Sequence, residues 1–259
     1  MEFREGILEE NRKYWSWRAP SYSEINREEL SNGRHRRWKE CLHSEIAAHF
    51  PDRAPETIRV LDAGTGPGIF AILLAELGCD VTAIDLTKAM LEEAKINAGE
   101  LADRIRFTEM NAEELAFESG LFDVVISRNL TWNLLHPERA YAEWVRVMRP
   151  GGLLLNFDAN WYAYLFDESA KEGYEQDRVN SAAMSIEDRN VGQNFEIMEE
   201  IARVIPLSGV RRPAWDLKVL QDFGMSVGAD EHAWKRVWSE EEKINFASTP
   251  MFLVRGVKG

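Results

Sequence analysis

The stretch Leu61-Asp62-Ala63-Gly64-Thr65-Gly66-Pro67-Gly68 restricts this chain more than any other. An apolar run ends in an acid, glycines follow at alternate positions, and Ile69–Leu77 then continues apolar nearly all round. A segment with no polar face must be covered on every side, as a helix packed on a sheet is. A glycine-rich turn between such a helix and a preceding strand lets backbone come close to a ligand. The unit is therefore strand, tight turn, buried helix, and it leads into a parallel sheet with helices on its faces.

The pattern repeats downstream. β-branched runs predict strands at Ile58–Asp62, Asp80–Asp85, Ile105–Met110, Asp123–Ser127 and Gly152–Asp158. Helices are expected at Ile69–Leu77, Lys88–Ala98 and Glu138–Met148, with Thr87 as N-cap of the second and Pro150-Gly151-Gly152 ending the third. Residues 1–56 read as helical, with aromatics among charges. Residues 159–210 are less regular and contain an amphipathic helix near Phe195–Val204; Ala214–Phe223 is helical, and Met225–Trp238 and Pro250–Val257 read as a closing strand pair. The fold class is α/β: a Rossmann-like parallel sheet with an antiparallel C-terminal strand pair, an N-terminal helical segment and an inserted cap. Its expected divisions are an N-terminal lid segment (1–56), a ligand-binding core (57–158), a substrate-side cap (159–210) and the C-terminal completion of the core (211–259).

A formal net charge of −13 over 259 residues opposes a nucleic-acid partner, whose phosphates need clustered Lys and Arg. The basic run Gly33-Arg34-His35-Arg36-Arg37-Trp38-Lys39 reads first as the solvated face of a helix continuing to His49, and otherwise as a phosphate contact. No apolar run reaches the roughly 18 residues of a membrane span, and the charged opening MEFREGILEENRKYW has no signal-peptide core. Cys41 and Cys79 form neither a metal-ligand spacing nor a disulfide framework. The expectation is a cytoplasmic protein, monomer or homodimer, with no resident metal and no membrane partner.

Three ligands suit a glycine loop: a nucleoside triphosphate, a dinucleotide and S-adenosylmethionine. A triphosphate loop needs Lys and Ser or Thr after its last glycine, and Ile69-Phe70 stand there. The dinucleotide fingerprint places its third glycine one position later than Gly68. Asp85 ends the next strand, VTAID, about 20 residues beyond the first glycine, where a carboxylate accepts from both ribose hydroxyls and repels a 2′-phosphate.

Taken in order, VLDAGTGPG, VTAIDL, NAEEL, FDVVISRN and RVMRPGG resemble the class I S-adenosylmethionine-dependent methyltransferases, in particular the small-molecule branch that includes ubiquinone and menaquinone methyltransferases. The resemblance covers residues 57–158 well, the C-terminal strands loosely and residues 159–210 hardly at all. It implies that Asp62, Ala63, Gly64, Thr65, Gly66 and Gly68 wrap the methionine part of the cofactor. It implies that Asp85 holds the ribose, that Leu86 packs on the adenine, and that Asn111, Ala112 and Glu113 meet its edge. Asn111 stands where the family usually has Asp. Arg128 and Asn129 would lie near the sulfonium, and S-adenosylhomocysteine would be the product. The segment Tyr14-Trp15-Ser16-Trp17-Arg18-Ala19-Pro20-Ser21-Tyr22 resembles the aromatic lead-in that closes over the cofactor, with Arg18 and Tyr22 matching its contacts and Trp17 on the substrate side.

Methyl transfer from a sulfonium is an in-line displacement that rests on alignment in a dry pocket, so a side-chain base is optional. His136, after the fourth strand, is the candidate base and Asn129 the second candidate for the chemistry; as a helix-entry residue before Pro137, His136 has a structural alternative. Trp132, Asp158, Asn160 and Trp161 are the expected substrate-facing groups at the sheet's carboxyl edge. The acceptor is expected to be a small soluble molecule. Two other readings stay open: a S-adenosylmethionine-binding regulatory or scaffold module without turnover, and a nicotinamide oxidoreductase. The glycine spacing and the lack of a Tyr-x-x-x-Lys pair oppose the latter.

Overall fold

The computed structural model describes residues 2–187 and 194–259, with side chains from residue 6 onward. Part of the expected cap, residues 188–193, lies outside the described residues.

Two helices open the chain, α1 (Glu2–Ser31) and α2 (Gly33–His49). The alternating region follows as β1 (Arg59–Ala63), α3 (Ile69–Glu76), β2 (Asp80–Asp85), α4 (Lys88–Ala98), β3 (Ile105–Glu109), β4 (Phe122–Arg128), α5 (Pro137–Val147) and β5 (Met148–Asp158). After β5 come α6 (Glu168–Ala183) and α7 (Phe195–Ala202), then α8 (Ala214–Asp222), β6 (Met225–Asp230), the short α9 (Trp234–Val237), α10 (Glu240–Asn245) and β7 (Phe252–Lys258). The strands form one seven-stranded sheet in the order β3-β2-β1-β4-β5-β7-β6. β1 to β5 run parallel, and β7 is antiparallel to both β5 and β6.

The chain moves outward from β1 to β3, then returns to β4 on the other side of β1. Ligands of open α/β sheets bind at such a reversal, outside the carboxyl ends of the strands. The central strands are buried on both faces because helices cover both: α2 and α3 enclose one core with Trp38, Phe70 and Phe157, and α5 and α8 enclose the other with Tyr141, Trp144 and Leu220. This two-sided burial explains why β1, β2 and β4 read as continuous apolar runs.

Most expected elements are present within one or two residues, and the exceptions have local causes. The expected strand Met225–Trp238 ends at Asp230, whose carboxylate accepts from the His232 amide (2.9 Å) and turns the chain into α9. α6 and α10 were not foreseen from the sequence. α10 starts on a capping box in which Ser239 and Glu242 bond reciprocally, a local signal that the strand reading of this region hid. Thr87 does stand at the N-cap of α4, but its hydroxyl donates to Asp85 instead of capping the helix.

The basic run on α2 is a solvated face only at Arg36, which is exposed beside Glu40. Arg34 is buried and bonds Glu242 (3.2 Å), while His35 and Lys39 converge on Glu76 (2.9 and 2.8 Å) and Arg37 donates to the Val237 carbonyl. Arg34, His35, Arg37 and Lys39 are thus taken up by partners within the molecule, which leaves the phosphate alternative without support.

Candidate active site

A cleft of about 1010 Å³, solvent-filled mouth included, lies at the reversal point between β1 and β4. That size suits a ligand larger than a single nucleobase. Its floor is the loop 64–67 with Asp62 beneath it, one end is Asp85-Leu86-Thr87 with Met90, and a side wall is Met110–Glu113. The roof is one face of α1: Leu8, Asn11, Trp15, Tyr22 and Asn26 recur at helical spacing and all face the cleft.

The loop takes its shape from its glycines. Gly64 has φ +68°, and a Cβ there would lie 2.7 Å from Leu130. Gly68, at φ +93°, faces α4: its Cβ would meet Ala94 at 2.9 Å. Gly68, expected with the other glycines at the ligand, is not among the residues that line the cleft; it brings α3 and α4 together. Ala63 is likewise buried in the core below the cleft rather than facing it.

Two carboxylates hold the loop from below. Asp85 is half-buried at the edge of the cleft; its Oδ2 accepts from the Gly66 amide (3.0 Å) and its Oδ1 from the Thr87 amide and hydroxyl (both 2.9 Å). Burial pushes its carboxyl above the usual range, and the Thr87 and Gly66 bonds pull part of the way back. Asp62 accepts from the Thr65 hydroxyl at 2.6 Å. Burial raises its ionisation from 3.8 to about 7, against the pull of Thr65 and of the Ala71 amide at the start of α3.

The NAEEL segment works partly as scaffold. Asn111 Oδ1 accepts from the Glu113 amide (2.9 Å), and Glu113 Oε1 accepts from the Leu135 and His136 amides (2.7 and 2.9 Å). The Glu113 carboxylate thus fixes the entry to α5, although Asn111, Ala112 and Glu113 all border the cleft. His136 stands at the N-cap of α5 with Pro137 next, and it borders neither this cleft nor the cavity described below. The helix-entry reading accounts for its place.

Arg128 lines the cleft, but its guanidinium is taken up by a bidentate pair with buried Glu29 of α1 (2.7 and 3.0 Å) and lies 4.7 Å over the Trp38 ring. Burial disfavours its charge, and Glu29 more than restores it. Arg128 therefore fastens α1 over the site. Two further clasps act along the same helix: Asn11 and Asn133 exchange amide hydrogen bonds (3.1 and 3.2 Å), and Asn97 joins Ser23 to the Pro67 carbonyl (3.0 Å each).

A second cavity adjoins the first, and Trp15, Tyr22 and Asn129 border both. Rings dominate its wall: Tyr14, Trp132, Trp161, Tyr162, Tyr174, Phe195 and Phe246 all contribute. Trp132 lies 4.8 Å from Tyr162, and Trp161 stands edge-on to Phe246 at 5.5 Å. The two tryptophans expected on the substrate side after β4 and β5 are thus brought together here. Arg18 borders this cavity and not the cleft.

Asn129 sits at the junction in a left-handed conformation, φ +55°. Its amide donates to the Phe157 carbonyl (2.8 Å) and its carbonyl accepts from the Trp132 indole (3.0 Å), which holds the strained backbone in place. Its side-chain Oδ1 is buried and finds no hydrogen-bond partner among the described residues.

Three expected substrate groups are placed elsewhere. Trp17 is half exposed on α1; two residues from Trp15 along a helix is about 200°, so it points away. Asp158 is fully buried and bonds Arg212 (2.6 Å), the Trp132 amide (2.9 Å) and the Ala159 amide (2.9 Å). Asn160 exchanges hydrogen bonds with the Arg212 backbone (3.0 and 3.1 Å). The sequence reading missed Trp15, the clasp residues Asn11 and Glu29, and Arg212. For Trp15 the signal was present: positions 11, 15, 18 and 22 share one helix face.

Residues 61–156 match the family model described as a methyltransferase domain. Over 130 residues the chain is 38% identical to the ubiquinone/menaquinone biosynthesis C-methyltransferase of Methylobacterium nodulans, covering 49% of this chain and 50% of that one. A longer alignment with the enzyme of the same name from Cereibacter sphaeroides covers 84% of this chain and 88% of that one at 25% identity. The chain spans about half the length of the first curated relatives it matches. Among solved structures, a S-adenosylmethionine-dependent methyltransferase from Aquifex aeolicus superimposes with TM-score 0.55 over 90% of this chain and 97% of that one, at 17% identity, a likeness of fold.

Proposed function

We propose that this chain, whose residues 61–156 match a methyltransferase domain, is a class I S-adenosylmethionine-dependent methyltransferase that transfers the methyl group of that cofactor to a small, flat acceptor. The observation that carries this reading is the pair of adjoining cavities with a shared wall at Trp15, Tyr22 and Asn129. One is lined by the glycine loop and strand-end carboxylates; the other is walled by rings.

The residues of the first cavity fit the cofactor. Asp85 uses its Oδ atoms on three donors, and a carboxylate has about four lone-pair sites, so capacity for a ribose hydroxyl remains. Leu86, Met90 and Met110 offer apolar surface for the adenine, and Asp62 offers a carboxylate toward the amino-acid end. When bound, the cofactor supplies an electrophilic methyl on a sulfonium. The chain's own part is to align and to exclude water: the α1 roof closes the cleft, the rings of the second cavity displace solvent, and Asn129 stands where the two compartments meet. Trp15 and Tyr22, at that meeting point, offer ring faces to a cation. Residues 159–210 act as the substrate-side cap, and the protein works in the cytoplasm on a soluble acceptor. No described helix is long and apolar enough to cross a membrane.

Calorimetry with S-adenosylhomocysteine tests the cofactor half: micromolar binding is expected, weakened at least tenfold by Asp85→Ala. Absence of heat with wild-type protein would reject the reading. Incubation with labelled S-adenosylmethionine and a metabolite extract tests the acceptor half, and it also separates turnover from a non-catalytic binding module.

A further inference from the structure

We propose that Arg212 is a positioning residue for the acceptor side of the site, acting through Asp158 to set Trp132. The inference rests on the methyl-transfer reading above for its functional meaning. Its geometry is independent of that reading.

Arg212 is 54 positions beyond Asp158, on the strand-proximal side of the expected cap, where the chain rejoins the sheet. Both side chains are buried from solvent, and neither borders the cleft or the aromatic cavity. The guanidinium is divided between two carboxylates. Its Nη1 donates to Asp158 Oδ2 at 2.6 Å, while Nε and Nη2 grip Asp216 at 2.9 and 2.5 Å. Asp216 also accepts from the Tyr141 hydroxyl (2.5 Å), which accepts in turn from Asn156 (2.9 Å). Arg212 is thus oriented from the α5 and α8 side, and it presents one N–H pair to Asp158.

Asp158 passes that orientation on. The same Oδ2 that meets Arg212 accepts from the Trp132 amide at 2.9 Å. Trp132 closes the loop after β4 by donating its indole N–H to the Asn129 carbonyl, and its ring walls the aromatic cavity against Tyr162. One carboxylate oxygen therefore joins the cap's return point to the loop that borders both compartments. A planar fork satisfies both carboxylates at fixed angles, which a lysine ammonium does not reproduce. Burial pushes the Asp158 carboxyl up and Arg212 pulls it back. With the fork gone, Oδ2 is the atom whose charge and direction change.

The loop position can be read without knowing the acceptor. The protein has nine tryptophans, so 5-fluorotryptophan labelling gives a countable ¹⁹F spectrum, with Trp132→Phe assigning one resonance and Trp38→Phe and Trp234→Phe assigning two controls that belong to a different core cluster from Trp132. In Arg212→Lys the Trp132 resonance is expected to move by more than its linewidth while both controls stay, and S-adenosylhomocysteine affinity is expected to hold within about threefold. A folded Arg212→Lys protein with an unmoved Trp132 resonance overturns the proposal, as does a spectrum in which all resonances move together. If that variant fails to fold, Asp216→Asn replaces it: it loosens the other grip on the Arg212 guanidinium and leaves Asp158 and Trp132 unaltered, and the same two outcomes decide. Loss of S-adenosylhomocysteine binding in the wild type itself would count against the methyl-transfer reading and leave the ¹⁹F result to stand.

Discussion

Asp62→Asn is expected to make the ligand-free protein more stable, and increasingly so as pH rises. The Asp62 carboxyl is buried at the base of the glycine loop, and burial moves its ionisation from 3.8 to about 7. A carboxyl that holds its proton more tightly in the folded than in the unfolded state loses stability as pH rises through the interval between the two values. The native state keeps a proton that the unfolded chain has already released. At ~1.4 kcal/mol per tenfold change in proton affinity, the full effect is about 4 kcal/mol above pH 7, of which about 2–3 kcal/mol develops between pH 5 and pH 8.

Asparagine fills nearly the same space and still accepts from Thr65, without the charge. Urea denaturation of both proteins at pH 5, 6.5 and 8 gives the difference directly, and a raised carboxyl not coupled to Asp62, such as Asp158, cancels in it. The variant's advantage should widen with pH by 1–3 kcal/mol as an order of magnitude. A difference that is flat across the three values refutes the argument that Asp62 is held largely protonated. Ligand binding should show the reverse: a bound ammonium favours the carboxylate, so S-adenosylhomocysteine should release a proton from wild type near pH 6.5 and none from the variant. Calorimetry in buffers of different ionisation enthalpy reads that release.

Three further outcomes follow from the geometry. Trp15→Ala should weaken S-adenosylhomocysteine binding about tenfold or more, and Trp17→Ala should leave it within twofold by the same calorimetry, because only Trp15 faces the cleft. Gly68→Ala should destabilise by about 1–3 kcal/mol in thermal or urea unfolding, since it adds a methyl 2.9 Å from Ala94 and imposes φ +93° on a residue with a side chain. Glu29→Gln should cost about 3–5 kcal/mol if Arg128 stays buried and unneutralised; where the protein relaxes instead, limited proteolysis should cut α1 faster than in wild type, and unchanged α1 protection would show that the Glu29–Arg128 pair does not hold the roof.

Much of the core was legible because its signals are local. A glycine loop after an apolar strand, an acid at the end of the next strand and an all-round apolar helix each state their own environment, and Asp62, Gly64, Gly66 and Asp85 all border one cleft. Helix phase was legible too, and attention to it would have chosen Trp15 over Trp17. The strand end at Asp230 was harder, because β-branched and aromatic residues run on past the turn.

What the sequence determined by itself is the α/β core and the place of the glycine loop, since periodicity and backbone permissiveness act between neighbours in the chain. What only the tertiary structure decided is which charges meet. Asp158 looked like a substrate-facing acid at a strand end until Arg212, 54 residues later, took it into the interior. Arg128 looked free to face a ligand until Glu29, 99 residues earlier, closed on it. A charged side chain in a sequence carries no mark of its partner, and in a buried setting the partner decides whether that charge is exposed to a ligand or spent on the fold.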